Sequence, residues 1–275
     1  MVEVNNISYR YGLKKQPIFD DFSISLEAGH IYGLLGKNGT GKSTLLYIIS
    51  GLLFPQKGKA LFEGRESRKR QPESLSDIFI VPEEYDLPAM TLANFIRANR
   101  PFYPNFSEDI MRKCLDEFEM SSDFHLKELS MGQKKKVYVS FAIAAGTKLL
   151  LMDEPTNGLD IPSKTLFRRV VTNQISEDRT VVMSTHQVHD VETLLDHVMI
   201  IDQKHLLLNE SVASLMQKYH FSYRQTGEIP PHTLYFEPSL QGNAILSLRQ
   251  EGDEETQVNL ELLFNAVTQG KLSHQ

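Results

Sequence analysis

The sequence predicts an α/β fold: a mixed-sheet core carrying an antiparallel β subdomain and a helical insertion, followed by a small C-terminal α+β extension. Three observations carry that reading. The chain opens with period-two alternation, short apolar runs ending in polar residues recur between helical stretches, and the texture changes from about Phe221 onward.

Taken in order, Val2, Val4 and Ile7, then Phe22, Ile24 and Leu26 spaced by Ser23 and Ser25, alternate as half-buried antiparallel strands do. Residues 30–35 are a short apolar run that ends in a glycine-rich turn, and helix formers follow from Lys42 to Ile49. Strand, glycine turn and helix in succession begin an α/β unit. After the apolar run Ile78–Val81 the character becomes helical from about residue 83 to 145, with helices expected over 92–98 and 108–118. Residues 149–152 and 181–183 read as buried strands, separated by a helix that Pro162 opens and that runs to about Ile175. A further strand is expected over 198–201. In the tail, residues 234–236 and 244–248 read as strands and 258–267 as an amphipathic helix. The expected division is a main domain over 1–220, with its helical part at about 83–145, and an extension over 221–275.

Composition narrows the function classes. The 275 residues are 41% hydrophobic and 23% charged, ordinary for a globular chain with material for a core. A formal net charge of -6 denies the molecule a global basic surface, so no nucleic-acid partner is expected. Residues 221–275 hold three basic and seven acidic side chains, so the tail should repel phosphates. Cys114 is the single cysteine, which rules out an internal disulfide, and its neighbours Ile110, Met111, Leu115 and Phe118 place it on a helix's core face. The N-terminus reads as lacking a basic leader or apolar signal core. The longest nearly apolar stretch, 137–147, falls short of the roughly 20 residues that span a bilayer, so membrane work is expected to run through a partner.

Gly36-Lys-Asn-Gly-Thr-Gly41-Lys42-Ser43 fits G-x-x-x-x-G-K-[ST] and sits between a buried strand and a helix, the context this pattern requires. Its glycines let the backbone bend tightly and turn N–H groups around phosphate oxygens, and the following helix adds its dipole. Gly36, Asn38, Gly39, Gly41, Lys42, Ser43 and Thr44 are the candidate nucleotide contacts, with Lys42 bridging β- and γ-phosphate oxygens and Ser43 on Mg²⁺. About 110 residues on, Asp153 and Glu154 emerge where a buried strand ends, the edge at which α/β sheets bind ligands. Asp153 suits a Mg²⁺ site, and Glu154 suits a general base for the attacking water.

Leu129-Ser-Met-Gly-Gln133 stands twenty residues before Asp153. Ser130 and Gln133 form an S-x-x-Q capping box heading a helix that runs to about Ala145. The segment resembles the signature sequence of ABC ATPases, usually Leu-Ser-Gly-Gly-Gln. Further matches follow: Asn157-Gly-Leu-Asp160 resembles the D-loop, Thr185-His186 the switch histidine, and Tyr11, 25 residues before Gly36, the aromatic that stacks on adenine. The resemblance covers residues 1 to about 215.

The resemblance implies an ATP-hydrolysing subunit with Glu154, His186 and Lys42 as catalytic residues. Tyr11, Ser130, Gly132, Gln133 and Asp160 join the cradle as ATP contacts, and Ser43, Asp153 and Glu83 hold Mg²⁺. It implies a head-to-tail dimer, with itself or a similar subunit, in which one cradle faces the partner's signature segment. It also implies integral membrane permease subunits on separate chains, as in bacterial export-type systems, and a cytoplasmic location on the inner face of the cell membrane. A non-transport ABC ATPase acting on ribosomes or DNA is the alternative, but such proteins typically carry paired cassettes, long coiled coils or basic extensions. A P-loop kinase or GTPase would leave Leu129–Gln133 without a purpose. Two departures stand out: Met131 replaces the first signature glycine, and Glu83 stands where the family commonly has glutamine, with Glu84 the neighbouring register. The basic runs 65–70 and 134–136 read as a solvated loop and as a helix face without an assigned role.

Overall fold

The structure, a computed structural model, describes residues 1–12, 15–202, 204–225, 228–240 and 242–272. Strands β1 (Val2–Tyr9), β2 (Phe19–Leu26) and β3 (Ile31–Leu35) lead into helix α1 (Lys42–Ile49). Then come β4 (Lys57–Phe62), the two-residue β5 (Arg65–Glu66), the one-turn α2 (Pro72–Leu75) and β6 (Ile78–Val81). The insertion holds α3 (Leu92–Asn99), α4 (Glu108–Glu117) and α5 (Met131–Ala144). Next are β7 (Leu149–Asp153), α6 (Ile161–Gln174), β8 (Thr180–Thr185), β9 (His197–Asp202) and β10 (His205–Ser211). Last come α7 (Val212–Lys218), β11 (Tyr219–Arg224), β12 (Thr233–Ser239), β13 (Gly242–Leu248) and α8 (Leu260–Thr268). Several helices start where a short polar side chain accepts a backbone N–H of the first turn: Thr91, Ser107, Ser130, Asp160, Ser211 and Asn259.

The central sheet has the order β10-β9-β3-β8-β7-β6, parallel throughout except for the edge strand β10. Its alternating side chains feed two cores. Tyr32, Leu34, Leu149, Leu151, Val182, Met199 and Ile201 face α1 and the antiparallel sheet β2-β1-β4-β5. Leu35, Leu150, Met152, Val181, Met183, Val198 and Ile200 face the other way, toward the helices of the insertion and α6. A sheet covered on both faces explains why its strands read as continuous apolar runs. Gly33 permits the close packing: a Cβ there would lie 2.3 Å from Leu195 Cδ1.

The tail forms a third sheet, β11-β13-β12, with α8 packed on it and on β9, β10 and the turn Val188–Asp190. Phe221, Leu246, Leu260, Leu263 and Ala266 join the same core as Val191, Leu195 and Val198, so the extension shares its core with the part before it. Cys114 is fully buried, and burial pushes its thiol up to about 12, which agrees with a packing role. Among the described residues, no helix is long and apolar enough to cross a membrane.

Candidate functional site

Parallel pairing of β3, β8 and β7 brings three strand C-termini to one edge. The loop over 36–41 leaves β3, Glu154 follows β7, and His186 follows β8. Two glycines are required for the loop's course. Gly36 is buried, and a Cβ there would meet Thr40 Oγ1 at 2.5 Å and the Ile201 carbonyl at 2.8 Å. Gly41 caps α1 at φ +103, where a Cβ would lie 2.6 Å from Ile18 Cγ2. Asn38 and Gly39 form the exposed tip.

Lys42 opens α1 and is almost wholly buried, its Nζ donating to the Gly36 carbonyl at 2.8 Å and lying 3.6 Å from Glu154 Oε1. Behind it, Thr44 Oγ1 sits 3.0 Å from the Tyr11 hydroxyl. Tyr11 stands half exposed at the rim, edge-on to Tyr9, so the structure brings this aromatic to the loop.

Asp153 is buried, its Oδ1 accepting a hydrogen bond from the Ser184 hydroxyl. Burial pushes its carboxyl above the usual range, against the opposing hydrogen bonds from Ser184 and Ser43. Glu154 has a left-handed backbone, φ 45, which costs a side-chain-bearing residue about 1–2 kcal/mol. Its N–H donates to the Ser184 carbonyl and hydroxyl, both at 3.1 Å. His186 Nδ1 lies 2.9 Å from Glu154 Oε1, and the His186 N–H donates to Oε2 at 3.4 Å. The Glu154 carboxylate is thus held between an ammonium and an imidazole.

Sequence reasoning left Lys135 without a role, yet it is buried, and its Nζ donates to the carbonyls of Glu154 at 3.0 Å and Asn157 at 2.8 Å. Burial pulls its pKa down, opposed by the carboxylates of Glu83, Glu154 and Asp153. Helical phase was the available signal, since Lys135, Val139 and Ala142 recur on one buried face of α5. The companion basic run over 65–70 is not merely solvated: Arg70 Nη1 donates to the Gly51 carbonyl at 2.7 Å.

At the head of α5 the capping box is complete. Ser130 Oγ accepts from the Gln133 N–H at 3.3 Å, and Gln133 Oε1 accepts from the Ser130 N–H at 3.0 Å. Gly132 is half-buried and faces Gly158 and Leu159, whereas Met131 is 78% exposed. Asp160 caps α6, its Oδ1 accepting from the Ser163 N–H at 2.8 Å, and the Ser163 hydrogen bonds hold its carboxyl below the usual range. The described side-chain hydrogen bonds of Ser130, Gln133 and Asp160 stay within their own helix starts and reach neither the 36–41 loop nor α1. Glu83 is exposed beside the site, its Oε1 accepting from Asn157 Nδ2 at 2.9 Å.

Chemically, this edge offers a glycine-built turn at the head of α1, a buried lysine and a carboxylate held between that lysine and an imidazole. Residues 19–157 match the family model described as ABC transporter. The chain is 27% identical to the ABC transporter ATP-binding protein YtrB of Bacillus subtilis, over 80% of this chain and 75% of that protein. It is 29% identical to the lantibiotic transport ATP-binding protein SrtF of Streptococcus pyogenes, over 76% and 90%. The solved structure of an ATP-binding subunit of an ABC transporter superposes with a TM-score of 0.68 at 24% identity, covering 78% of this chain and 91% of that one, a likeness of fold. By its matched span and its arrangement of strand-edge residues, the chain belongs to the ABC transporter family, among the ATP-binding, ATP-hydrolysing subunits.

Proposed function

We propose that residues 1–220 are the ATP-driven motor of a transporter whose membrane-spanning permease subunits are separate chains, with 83–145 as its helical part and 221–275 as an appended extension. The observation that carries this reading is the Glu154 carboxylate, 2.9 Å from His186 and 3.6 Å from Lys42 at the mouth of the glycine loop. In the proposed reaction Glu154 accepts the proton of the water that attacks the γ-phosphorus, and the bond to the β-phosphate bridging oxygen breaks. Lys42 moves from the loop carbonyls to the β- and γ-phosphate oxygens, and His186 holds Glu154 and senses the γ-phosphate. Tyr11 stacks on adenine at the rim, while Asn38, Gly39 and Thr44 complete the cradle.

Mg²⁺ fits the donors present, which are all hard oxygens: the Ser43 hydroxyl, the buried Asp153 carboxylate and, at the margin, Glu83. Bound there, it would neutralise charge developing on the phosphates. The Ser43 hydroxyl hydrogen-bonds the Asp153 carboxylate, so two of these oxygen donors stand together.

One glycine loop and one capped signature helix per chain support a dimer in which ATP lies between the loop of one subunit and Ser130, Gly132 and Gln133 of the other, with Asp160 at the same face. The second subunit is another copy or a similar chain. ATP closes the pair because it binds the closed form better. Such a motor works at the inner face of the cell membrane, held there by its permease. The net charge of -6 and the relatives named for transport favour this over a role on nucleic acid. Sedimentation of Glu154→Gln tests the dimer: ATP should double its mass, and Ser130→Ala added to it should weaken association more than ATP binding. Equal effects on both would refute the shared site.

A further inference from the structure

The opposite edge of the central sheet carries a group that the nucleotide chemistry does not use. His30 immediately precedes β3, Asp196 immediately precedes β9, and His197 is the first residue of β9. Because β3 and β9 run parallel, both histidines arrive at the strands' N-terminal end, away from the phosphate loop. The Nδ1 atoms of His30 and His197 lie 3.3 Å and 2.8 Å from the same oxygen, Asp196 Oδ1. One ligand atom from each of the three residues falls within 4.8 Å of the others.

We propose that His30, Asp196 and His197 form a binding site for a divalent transition-metal ion of the Zn²⁺ class. Metal–nitrogen and metal–oxygen bonds of about 2.0–2.2 Å at tetrahedral angles place ligand atoms roughly 3.3 Å apart. His30 Nδ1 stands at that distance from Asp196 Oδ1, and His197 Nδ1, at 2.8 Å, has to draw back by about 0.5 Å. Two imidazoles and one carboxylate favour Zn²⁺, Cu²⁺ or Ni²⁺ over Mg²⁺, which prefers oxygen donors.

The carboxylate is fixed in place. Asp196 Oδ2 accepts from the Ile31 N–H at 3.1 Å, its own N–H donates to the Ile31 carbonyl at 3.1 Å, and its carbonyl accepts from the Val212 N–H at 2.8 Å. His197 is packed against Tyr32, ring centroids 4.9 Å apart, and against His30 at 4.4 Å. Backbone pairing and packing therefore hold the donors in place, as the hydrogen bonds behind the ligands do in metal sites. All three residues retain solvent access, which leaves the remaining coordination positions to water. An ion here fastens the entry of β3 to the entry of β9 and, through Asp196 and Val212, to the start of α7, which leads into the C-terminal extension.

The test is a Zn²⁺ titration of the full chain, stripped with chelator and kept in excess Mg²⁺ to occupy the oxygen donors at the phosphate edge. One equivalent of Zn²⁺ should bind and raise the melting temperature. His197→Ala should weaken it at least tenfold, as should His30→Gln, a milder change near the surface. Both variants should keep wild-type ATP binding, since the phosphate edge shares none of these residues. A three-group hydrogen-bonded cluster without metal affinity gives the opposite result: no saturable uptake in the wild type, or uptake that neither variant alters. Either outcome overturns the assignment without touching the ATP site.

Discussion

Replacing Lys135 with methionine isolates a support of the catalytic edge that does not itself meet the nucleotide in this account. The substitution keeps the length of the side chain and deletes the ammonium that binds the Glu154 and Asn157 carbonyls. Each hydrogen bond from a charged donor is worth ~1.5–3 kcal/mol, so the pair amounts to ~3–6 kcal/mol before desolvation. Burial of the ammonium, the main cause of its lowered pKa, works against that gain, and a net loss of about 2 kcal/mol is expected. For a chain of this size that is a melting shift of ~4–8 °C downward. The functional effect should exceed the stability effect. Glu154 occupies a left-handed backbone conformation that its neighbours must enforce, and losing a carbonyl anchor lets it relax. A displacement of about 1 Å at a catalytic group costs on the order of 10²-fold, so kcat should fall by about that factor with little change in KM. Scanning fluorimetry and steady-state ATPase assays read the two effects. A variant with unchanged melting and kcat within about twofold would show that the Lys135 bonds do not position the base.

Two other perturbations probe the scaffold. Arg179 is buried, donates to the Ala142 and Ile143 carbonyls and the Thr147 hydroxyl, each at 2.8 Å, and burial pulls its pKa down to about 10. Arg179→Met removes the guanidinium from the Ala142 and Ile143 carbonyls, of which Ile143 keeps the Gly146 N–H, and should cost about 3 kcal/mol, seen as a lower denaturation midpoint; an unchanged midpoint refutes the capping role. The His189 pKa is raised above its ordinary value by the hydrogen bond its ring donates to Glu261 on α8, then by that to Glu192, with burial opposing. A raised folded-state pKa makes this stabilisation fully present below pH 6.5 and removes it as pH rises through the folded value. The α8 amides, corrected for intrinsic exchange, should therefore lose protection on the alkaline side, and His189→Ala should abolish that dependence. Greater protection at higher pH would refute the link between His189 and α8. The effect should be small, because His189 is largely exposed.

What the sequence made visible follows from chemistry that is local. The glycine loop needs Gly36 and Gly41 for reasons of space and φ, and the Ser130–Gln133 capping box is closed within four residues. The central strands were legible because a sheet covered on both faces demands unbroken apolar runs. Other strands escaped because nonlocal pairing makes them: β4 begins Lys57-Gly-Lys59 with exposed side chains, and β10 gains its place from β9 rather than from alternation. The tail's first strand, β11, is likewise defined by its pairing with β13. Lys135 was concealed by its neighbours Lys134 and Lys136, since only helical phase distinguishes a buried lysine within a basic run. The left-handed turn at Glu154 is not a preference of glutamate, and the Ser184 bonds that accompany it come from a strand thirty residues away. The cluster of His30, Asp196 and His197 arises from strand pairing across more than 160 residues and has no local signature.

The central claim is that Glu154, held by Lys42 and His186, takes the proton from the attacking water. Single-turnover hydrolysis of prebound ATP by Glu154→Gln tests it most directly. The account predicts that ATP stays bound with wild-type-like affinity while the hydrolysis rate falls by about 10² to 10⁴, the usual worth of a positioned general base. Hydrolysis at the wild-type rate, with ATP bound as tightly, would contradict it.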